Sequence, residues 1–282
     1  MPEPRLEDWI GRTEQAVDVL EPWTAAAVAA THGLFVEVRE GAEVSGLWHW
    51  FRFLATVERD GIGPDGHPKR GGFLPPVPLE RRMWAGSRMT FPGELRVGDR
   101  LERRSEILNV AEKTGKAGSM VFVTVKHVVS TVRGAAIEEE QDIVYLPMPK
   151  TFAPPAPVPL PEDVSWRRPW PLDPVLLFRF SAITFNAHRI HYDRTYAVEV
   201  EKYPGLVVHG PMQALMLFEE AKARHPGRRI AAYSFRGVRP LFDFDRAEIV
   251  GREREDGIDL FTADGDGLIN MQANLTWASG PA

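Results

Sequence analysis

The 282-residue chain has no cysteine. A disulfide framework, a thiolate nucleophile and any cysteine-ligated zinc or iron–sulfur centre are therefore excluded, a usage compatible with a cytoplasmic enzyme. Positive charge does not predominate: 34 Lys and Arg face 39 Asp and Glu, and the formal net charge of −5 argues against nucleic acid as the main partner. No apolar run approaches the roughly 20 residues that cross a bilayer, so no membrane span is expected. The opening Met1–Asp8 is acidic and has no apolar centre, and no signal peptide is read there. No phosphate-cradling P-loop or dinucleotide fingerprint is read either. What remains is the composition of a soluble globular protein, 44% hydrophobic and 26% charged, long enough for one large domain or two of ordinary size.

A boundary is predicted where Pro147, Pro149, Pro154, Pro155, Pro157, Pro159 and Pro161 alternate with small and apolar residues. Proline fixes φ and donates nothing to a ladder, so 147–161 should run extended between two packed halves, 1–146 and 162–282. Each half ends in Val-, Ile-, Phe- and Thr-rich runs. In the first these are Leu101–Val110, Ser119–Thr131 and Ala135–Tyr145; in the second, Ile230–Phe235, Ala247–Glu253, Gly257–Ala263 and Leu268–Trp277. Short Gly-bearing connections such as Val132-Arg133-Gly134 and Asp264-Gly265-Asp266-Gly267 predict antiparallel hairpins. Alternation in Asn270–Trp277 predicts one wet and one buried face. A faint repeat at constant offset relates Thr90-Phe91-Pro92-Gly93 and Val97-Gly98-Asp99 to Ser234-Phe235-Arg236-Gly237 and Leu241-Phe242-Asp243.

Pro211, suited to a first helical turn, opens a helix that Pro226-Gly227 should stop. Met212, Leu215, Met216, Phe218 and Ala221 form its apolar face, with Glu219, Glu220, Lys222 and Arg224 opposite. Such a helix should lie across the following antiparallel sheet and be wrapped by it. The expected fold is α+β, a double hot-dog.

The chemistry concentrates in Phe185-Asn186-Ala187-His188-Arg189-Ile190-His191-Tyr192-Asp193, followed by Val208-His209-Gly210-Pro211. Imidazole exchanges protons near neutral pH, and a backbone N–H at a helix start can receive an oxyanion. The pattern points to acid/base chemistry on an activated carbonyl. A metal is the rival for His188-x-x-His191, but there is no HExxH pattern, and the β-branched and aromatic surroundings suggest a strand leading into a turn; no metal is expected.

The segment Phe180–Asp193 with Leu206–Pro211 resembles the hydratase signature of the MaoC-like dehydratase family, in particular the branch with mesaconyl-CoA and itaconyl-CoA hydratases and mitochondrial 3-hydroxyacyl thioester dehydratases. Leu6–Arg12 and Arg81–Ser87 resemble the same branch. The resemblance implies reversible hydration of an α,β-unsaturated acyl-CoA, mesaconyl-CoA or itaconyl-CoA giving citramalyl-CoA, with no cofactor beyond the CoA of the substrate. Dehydration of 3-hydroxyacyl thioesters in fatty-acid metabolism is the alternative, and thioester hydrolysis a third. A homo-oligomer is compatible with it.

In the family motif Asp-x-Asn-Pro-x-His, the Asp falls on Asn186, the Asn on His188, the Pro on Arg189 and the His on His191. The catalytic histidine is retained as His191, but the carboxylate is an amide, which exchanges no proton near neutral pH. His188 then either takes over part of that role or is structural, and Asn186 either positions water or closes a turn. Gly210 is assigned the oxyanion N–H, and Asp193 an N-cap. His209 reads as a structural residue or a support behind the site. For substrate binding the candidates are Arg82, Phe73 in the loop Gly71–Pro76, Phe185 and His209. Arg81 and Arg88 could also meet a phosphate or carboxylate. His49, within Trp48–Phe53, reads as part of a packed aromatic segment, and the first half as an acyl or CoA platform without its own His-rich motif.

Overall fold

The computed structural model describes residues 5–115 and 118–279. A 3-10 turn at Leu6–Trp9 leads into β1 (Thr13–Val19), α1 (Pro22–His32) and β2 (Glu43–Val44). After 3-10 segments at Gly46–Phe51 and Arg59–Gly61 come β3 (Arg81–Thr90), β4 (Leu95–Arg96), β5 (Arg100–Gly115), β6 (Gly118–Thr131) and β7 (Gly134–Leu146). Then follow β8 (Trp166–Trp170), α2 (Pro174–Ile183), α3 (Arg194–Glu199), α4 (Gly210–Arg224), β9 (Ile230–Gly237), β10 (Ala247–Glu253), β11 (Gly257–Ala263) and β12 (Ile269–Trp277).

The long strands form one antiparallel sheet of ten in the order β1-β5-β6-β7-β3-β9-β12-β11-β10-β8, while β2 and β4 pair separately. The order is mirrored about the β3–β9 junction, so the two sides of the sheet repeat one topology. At the junction Gly86, Ser87, Arg88, Met89 and Thr90 face Arg236, Phe235, Ser234, Tyr233 and Ala232. Gly86 is required there: a Cβ on it would lie 2.3 Å from the Phe235 carbonyl oxygen.

On the second side α4 packs across β10, β11 and β12 and also touches β3. Its predicted apolar face, Met212, Leu215, Met216, Phe218 and Ala221, is buried. The expected polar face differs from prediction at Glu219, which is buried and accepts the Trp48 indole N–H at 3.0 Å. Burial pushes the Glu219 carboxyl pKa up, and the helix is enclosed nearly all round because the first half supplies Trp48 on that side. In the first half, the core position is taken by α1 and by the aromatic segment Gly46–Phe51, both in the same apolar cluster as α4. The architecture is an α+β double hot-dog.

His49 is buried in that segment. Its Nδ1 faces the Gly46 carbonyl at 2.7 Å and its Nε2 the Glu139 carboxylate at 2.8 Å; Ser87 Oγ donates to the same carboxylate at 2.9 Å. Burial opposes ionisation of Glu139, but the His49 contact and the Ser87 hydrogen bond prevail and lower its pKa.

Two local expectations are corrected. β5 runs further than the predicted end at Val110, because its pairing with β6 continues to Gly115–Gly118. The stretch before the histidines is helical: Pro174 occupies the first turn of α2 and the Asp173 carboxylate accepts the Leu176 N–H at 2.8 Å, so Phe180–Ile183 end a helix and no strand. The alternation predicted for Asn270–Trp277 is present from Met271 onward, with Met271, Ala273, Leu275 and Trp277 buried and Asn274 exposed. Among the described residues no helix is long and apolar enough to cross a membrane.

Gly86→Ala is expected to destabilise the fold by about 1–3 kcal/mol, because the added methyl overpacks a backbone-to-backbone contact. A denaturant midpoint equal to that of the unsubstituted chain would show that the junction opens without strain.

Candidate active site

Between α2 and α3 the chain folds back on itself. Phe185 takes φ 49°, the Asn186 N–H returns to the Ser181 carbonyl at 2.8 Å, and the Asn186 side-chain oxygen accepts the His188 N–H at 3.0 Å. A short side-chain amide closing a turn on the second residue after it is a familiar use of Asn. It leaves the Asn186 NH2 as a donor. A 3-10 turn, Arg189–His191, follows. Asp193 then caps α3 by accepting the Tyr196 N–H at 3.0 Å, and it also pairs with Arg189 at 2.7 Å.

This fold-back buries both motif histidines. His191 Nδ1 lies 2.7 Å from the Val207 carbonyl oxygen. A carbonyl only accepts, so Nδ1 carries the hydrogen and Nε2 keeps its lone pair. Burial, followed by the neighbouring His209 and His188, holds the His191 pKa well below its usual value. Against its ring stacks His209, with centroids 3.6 Å apart. His209 Nε2 meets Ser181 Oγ at 2.8 Å, its side chain is fully buried, and it does not line the cavity described below. The substrate-binding role expected for His209 is thereby corrected: it stands behind His191 and fixes its plane.

His188 is buried with its Nε2 3.1 Å from Glu201 Oε1. Glu201 is itself buried, 2% exposed. A carboxylate, absent at position 186, thus reaches His188 from beyond α3, ten residues after the motif-terminal His191. Spacing alone does not signal it, because the intervening α3 and its turn set the distance.

Gly210 begins α4 just after His209, and the first N–H of a helix has no intrahelical acceptor. A Cβ at this position would meet only the Trp84 carbonyl oxygen at 3.8 Å and a Met271 methyl at 3.9 Å. Packing therefore does not demand glycine here. Gly210 is among the residues that line the cavity.

Asn186, His188, His191, Gly210, Glu201, Phe185, Phe73 and Arg82 all line one cavity of about 1700 Å³, which draws walls from both halves and from Pro147–Pro155. Arg82 belongs to β3, forms no ion pair among the described residues, and lies near enough to His67 to depress its pKa. Arg88 differs from expectation: it forks to Asp142 and Glu140, so its charge is already used. Arg81 donates to the Tyr203 hydroxyl at 3.3 Å and to the Pro147 carbonyl at 3.2 Å.

Sequence reasoning missed Asp65 and His67. They lie in the first half, between Gly61 and Pro68, and they reach the second-half histidines: the His67 and His188 rings are 4.1 Å apart. The spacing Gly61-x-Gly63-x-x-Gly66 matches a dinucleotide fingerprint literally, but a 3-10 turn leads into it and β3 is the next element after it, so it lacks the strand–turn–helix setting of that fingerprint. Among the described residues Asp65, His67 and His188 also form a group whose possible ligand atoms lie within 4.8 Å of one another. Two imidazole–carboxylate contacts, His67–Asp65 at 3.0 Å and His188–Glu201 at 3.1 Å, account for one nitrogen on each ring.

Residues 47–243 match the hydroxyacyl-thioester dehydratase type 2 family. The chain is 46% identical over 274 residues to the mesaconyl-C(4)-CoA hydratase of Chloroflexus aurantiacus, covering 95% of this chain and 96% of that protein. Among solved structures, a MaoC-like dehydratase superposes with a TM-score of 0.73 at 13% identity, covering 96% of this chain and 99% of that one. A Mycobacterium tuberculosis protein described as a double hot-dog superposes at 0.59 and 13% identity, covering 95% of this chain and 96% of that one. The chain belongs to the hydroxyacyl-thioester dehydratase type 2 family.

Proposed function

We propose that this protein hydrates an α,β-unsaturated CoA thioester reversibly, with mesaconyl-CoA or itaconyl-CoA as substrate and citramalyl-CoA as product. As a member of its family the chain is a hydro-lyase of the hydratase/dehydratase type. The observation that carries the mechanism is the His191–Val207 hydrogen bond, which leaves a bare imidazole nitrogen on a side chain lining the same cavity as the Gly210 N–H.

With mesaconyl-CoA, whose double bond is conjugated to the thioester, His191 Nε2 takes a proton from water as the water oxygen bonds to the β-carbon. The displaced π electrons move through the α-carbon to the thioester oxygen, and the resulting enolate accepts the Gly210 N–H at the positive end of α4. The α-carbon then takes a proton from His188, whose imidazolium is held by Glu201. Asn186 orients this centre: its oxygen fixes the His188 backbone and its NH2 is left for water or substrate. No cofactor beyond the CoA of the substrate enters these steps. In this reading the second half, 162–282, supplies the acid, base and oxyanion donor, while the first half, 1–146, and the strap 147–161 form much of the acyl and CoA channel. Phe73 and Phe185 border that channel as apolar walls.

The choice of a dicarboxylyl substrate is supported by 46% identity with the mesaconyl-C(4)-CoA hydratase and by Arg82, a guanidinium beside the imidazole cluster that has no ion pair among the described residues. The substrate's free carboxylate would pair with it in bidentate fashion. The family match keeps dehydration of 3-hydroxyacyl thioesters as the second reading. The cytoplasm as location and a homo-oligomeric state belong to the proposal as well.

The reaction class is tested with mesaconyl-CoA, itaconyl-CoA and crotonyl-CoA, following enoyl absorbance and free thiol together. Loss of the enoyl band without thiol release is expected; thiol release without a hydrated product would make the protein a thioesterase. Arg82→Gln should raise KM for mesaconyl-CoA by about 10- to 100-fold, the value of a lost hydrogen bond to a charged group, and leave crotonyl-CoA nearly unaffected. Equal losses on both substrates would remove Arg82 from carboxylate recognition.

His191→Ala is expected to lower kcat by about 10²- to 10⁴-fold with the fold retained, as judged by circular dichroism. The pH profile follows from the depressed pKa of His191. A base must be unprotonated, so kcat/KM should stay level as pH falls through the usual histidine range near 6.5 and decline only below it. An acid-side half-maximal point at or above 6.5 would assign the base elsewhere.

A further inference from the structure

The loop between Gly61 and Pro68 is built to press on the histidine turn of the other half. It is closed internally, with the Gly63 N–H on the His67 carbonyl at 2.7 Å and the Gly66 N–H on the Gly63 carbonyl at 3.0 Å. Across the gap, the Asp65 carbonyl accepts the Arg189 N–H at 2.9 Å and the Pro64 carbonyl accepts Arg189 Nη1 at 3.1 Å. Gly66 has φ +92°, and a Cβ there would lie 1.7 Å from the Ala187 carbonyl oxygen and 3.2 Å from the His188 nitrogen. The two backbones are therefore in direct contact immediately before His188.

The side chains continue the same contact. Asp65 receives both the His67 N–H and His67 Nδ1, each at 3.0 Å, so the imidazole plane is fixed from two sides. Burial opposes ionisation of Asp65, yet the His67 contacts prevail and bring its pKa to about 2. Burial dominates at His67 and lowers its pKa to about 3, which leaves a neutral ring. That ring lies 4.1 Å from the His188 ring at 39°. His188 is consequently held by Glu201 at one nitrogen, by Asn186 at its backbone and by His67 at its face. The other charged or titratable groups around His67 are Arg82 and, across His188, His191.

We propose that the Asp65–His67 pair is a positioning element for His188, so that the catalytic centre is completed across the two halves. The proposal rests on the reading of His188 as proton donor. It makes the first half more than a channel wall. A small displacement of a reacting group costs on the order of 100-fold in rate, and that sets the expected scale.

The test compares His67→Ala, His67→Asn and His188→Ala in the full-length chain with mesaconyl-CoA. The Asn variant keeps a donor for Asp65 and guards against a folding defect in the Ala variant. Both His67 variants should lose about 10- to 100-fold in kcat, with KM changed by less than about three-fold, the loss expected from misplacing a group that acts after binding. In the folded Asn variant the His188 Cε1–H resonance should move from its position in the unsubstituted protein. Wild-type kcat in His67→Asn with an unmoved resonance overturns the proposal. So does a change confined to KM, which would make His67 a substrate contact. Stoichiometric zinc bound by the unsubstituted protein and lost in His67→Asn would also overturn it, assigning the cluster to a metal. If His188→Ala itself keeps full turnover, the proton-donor reading fails; if His188→Ala is inactive and His67→Asn is not, only the positioning role fails.

Discussion

The β3–β9 ladder is the contact on which the arrangement of the site depends. It joins two five-stranded arrays into one sheet and brings the backbone of β3 beside the start of α4, where the Trp84 carbonyl comes within reach of a side chain at Gly210. Because backbone meets backbone at Gly86, the junction tolerates little variation in spacing. Everything the first half contributes to the cavity, including Arg82 on β3 and the loop before it, is held in register by this ladder. A backbone ladder suits that task because its spacing is set by hydrogen bonds and not by deformable side-chain packing.

Within the site, burial has opposite consequences for the two kinds of titratable group. It drives His191, His209 and His67 toward their neutral forms, which suits a base and its supports. It also works against Asp65, but direct hydrogen bonding from His67 outweighs it. The centre thus combines neutral imidazoles with carboxylates in fixed contact. One imidazole, His191, has its hydrogen committed to a carbonyl and its lone pair free. Another, His188, has a carboxylate to hold its charge when it is protonated.

The legible part of the fold was the part governed by local periodicity. Strand runs, short Gly-bearing turns and the apolar face of α4 follow from side-chain alternation and helical spacing, and these elements lie where they were expected. Where a neighbouring element decides the environment, prediction and structure part. Glu219 lies on the side of α4 opposite its apolar face, yet it is buried because Trp48 of the first half covers it. The β-branched and aromatic residues of Phe180–Ile183 resemble a strand, but the Asp173-Pro174 start and the packing of α2 make them helical. His209 looks like a site residue by adjacency, and the entry of the chain into α4 turns it behind His191.

The family and the chemical class are legible in the sequence alone, because His191 and Gly210 sit in two short motifs whose residue types the proposed reaction requires. The sequence also showed that the family carboxylate is replaced by Asn186. What takes up the carboxylate's place beside His188 was decided only in three dimensions. Glu201 arrives through the turn after α3, and Asp65 with His67 from the other half, 121 residues before His188 in the case of His67. Hydrogen bonds and ring contacts act over a few ångströms of space regardless of chain separation, so no local pattern records them.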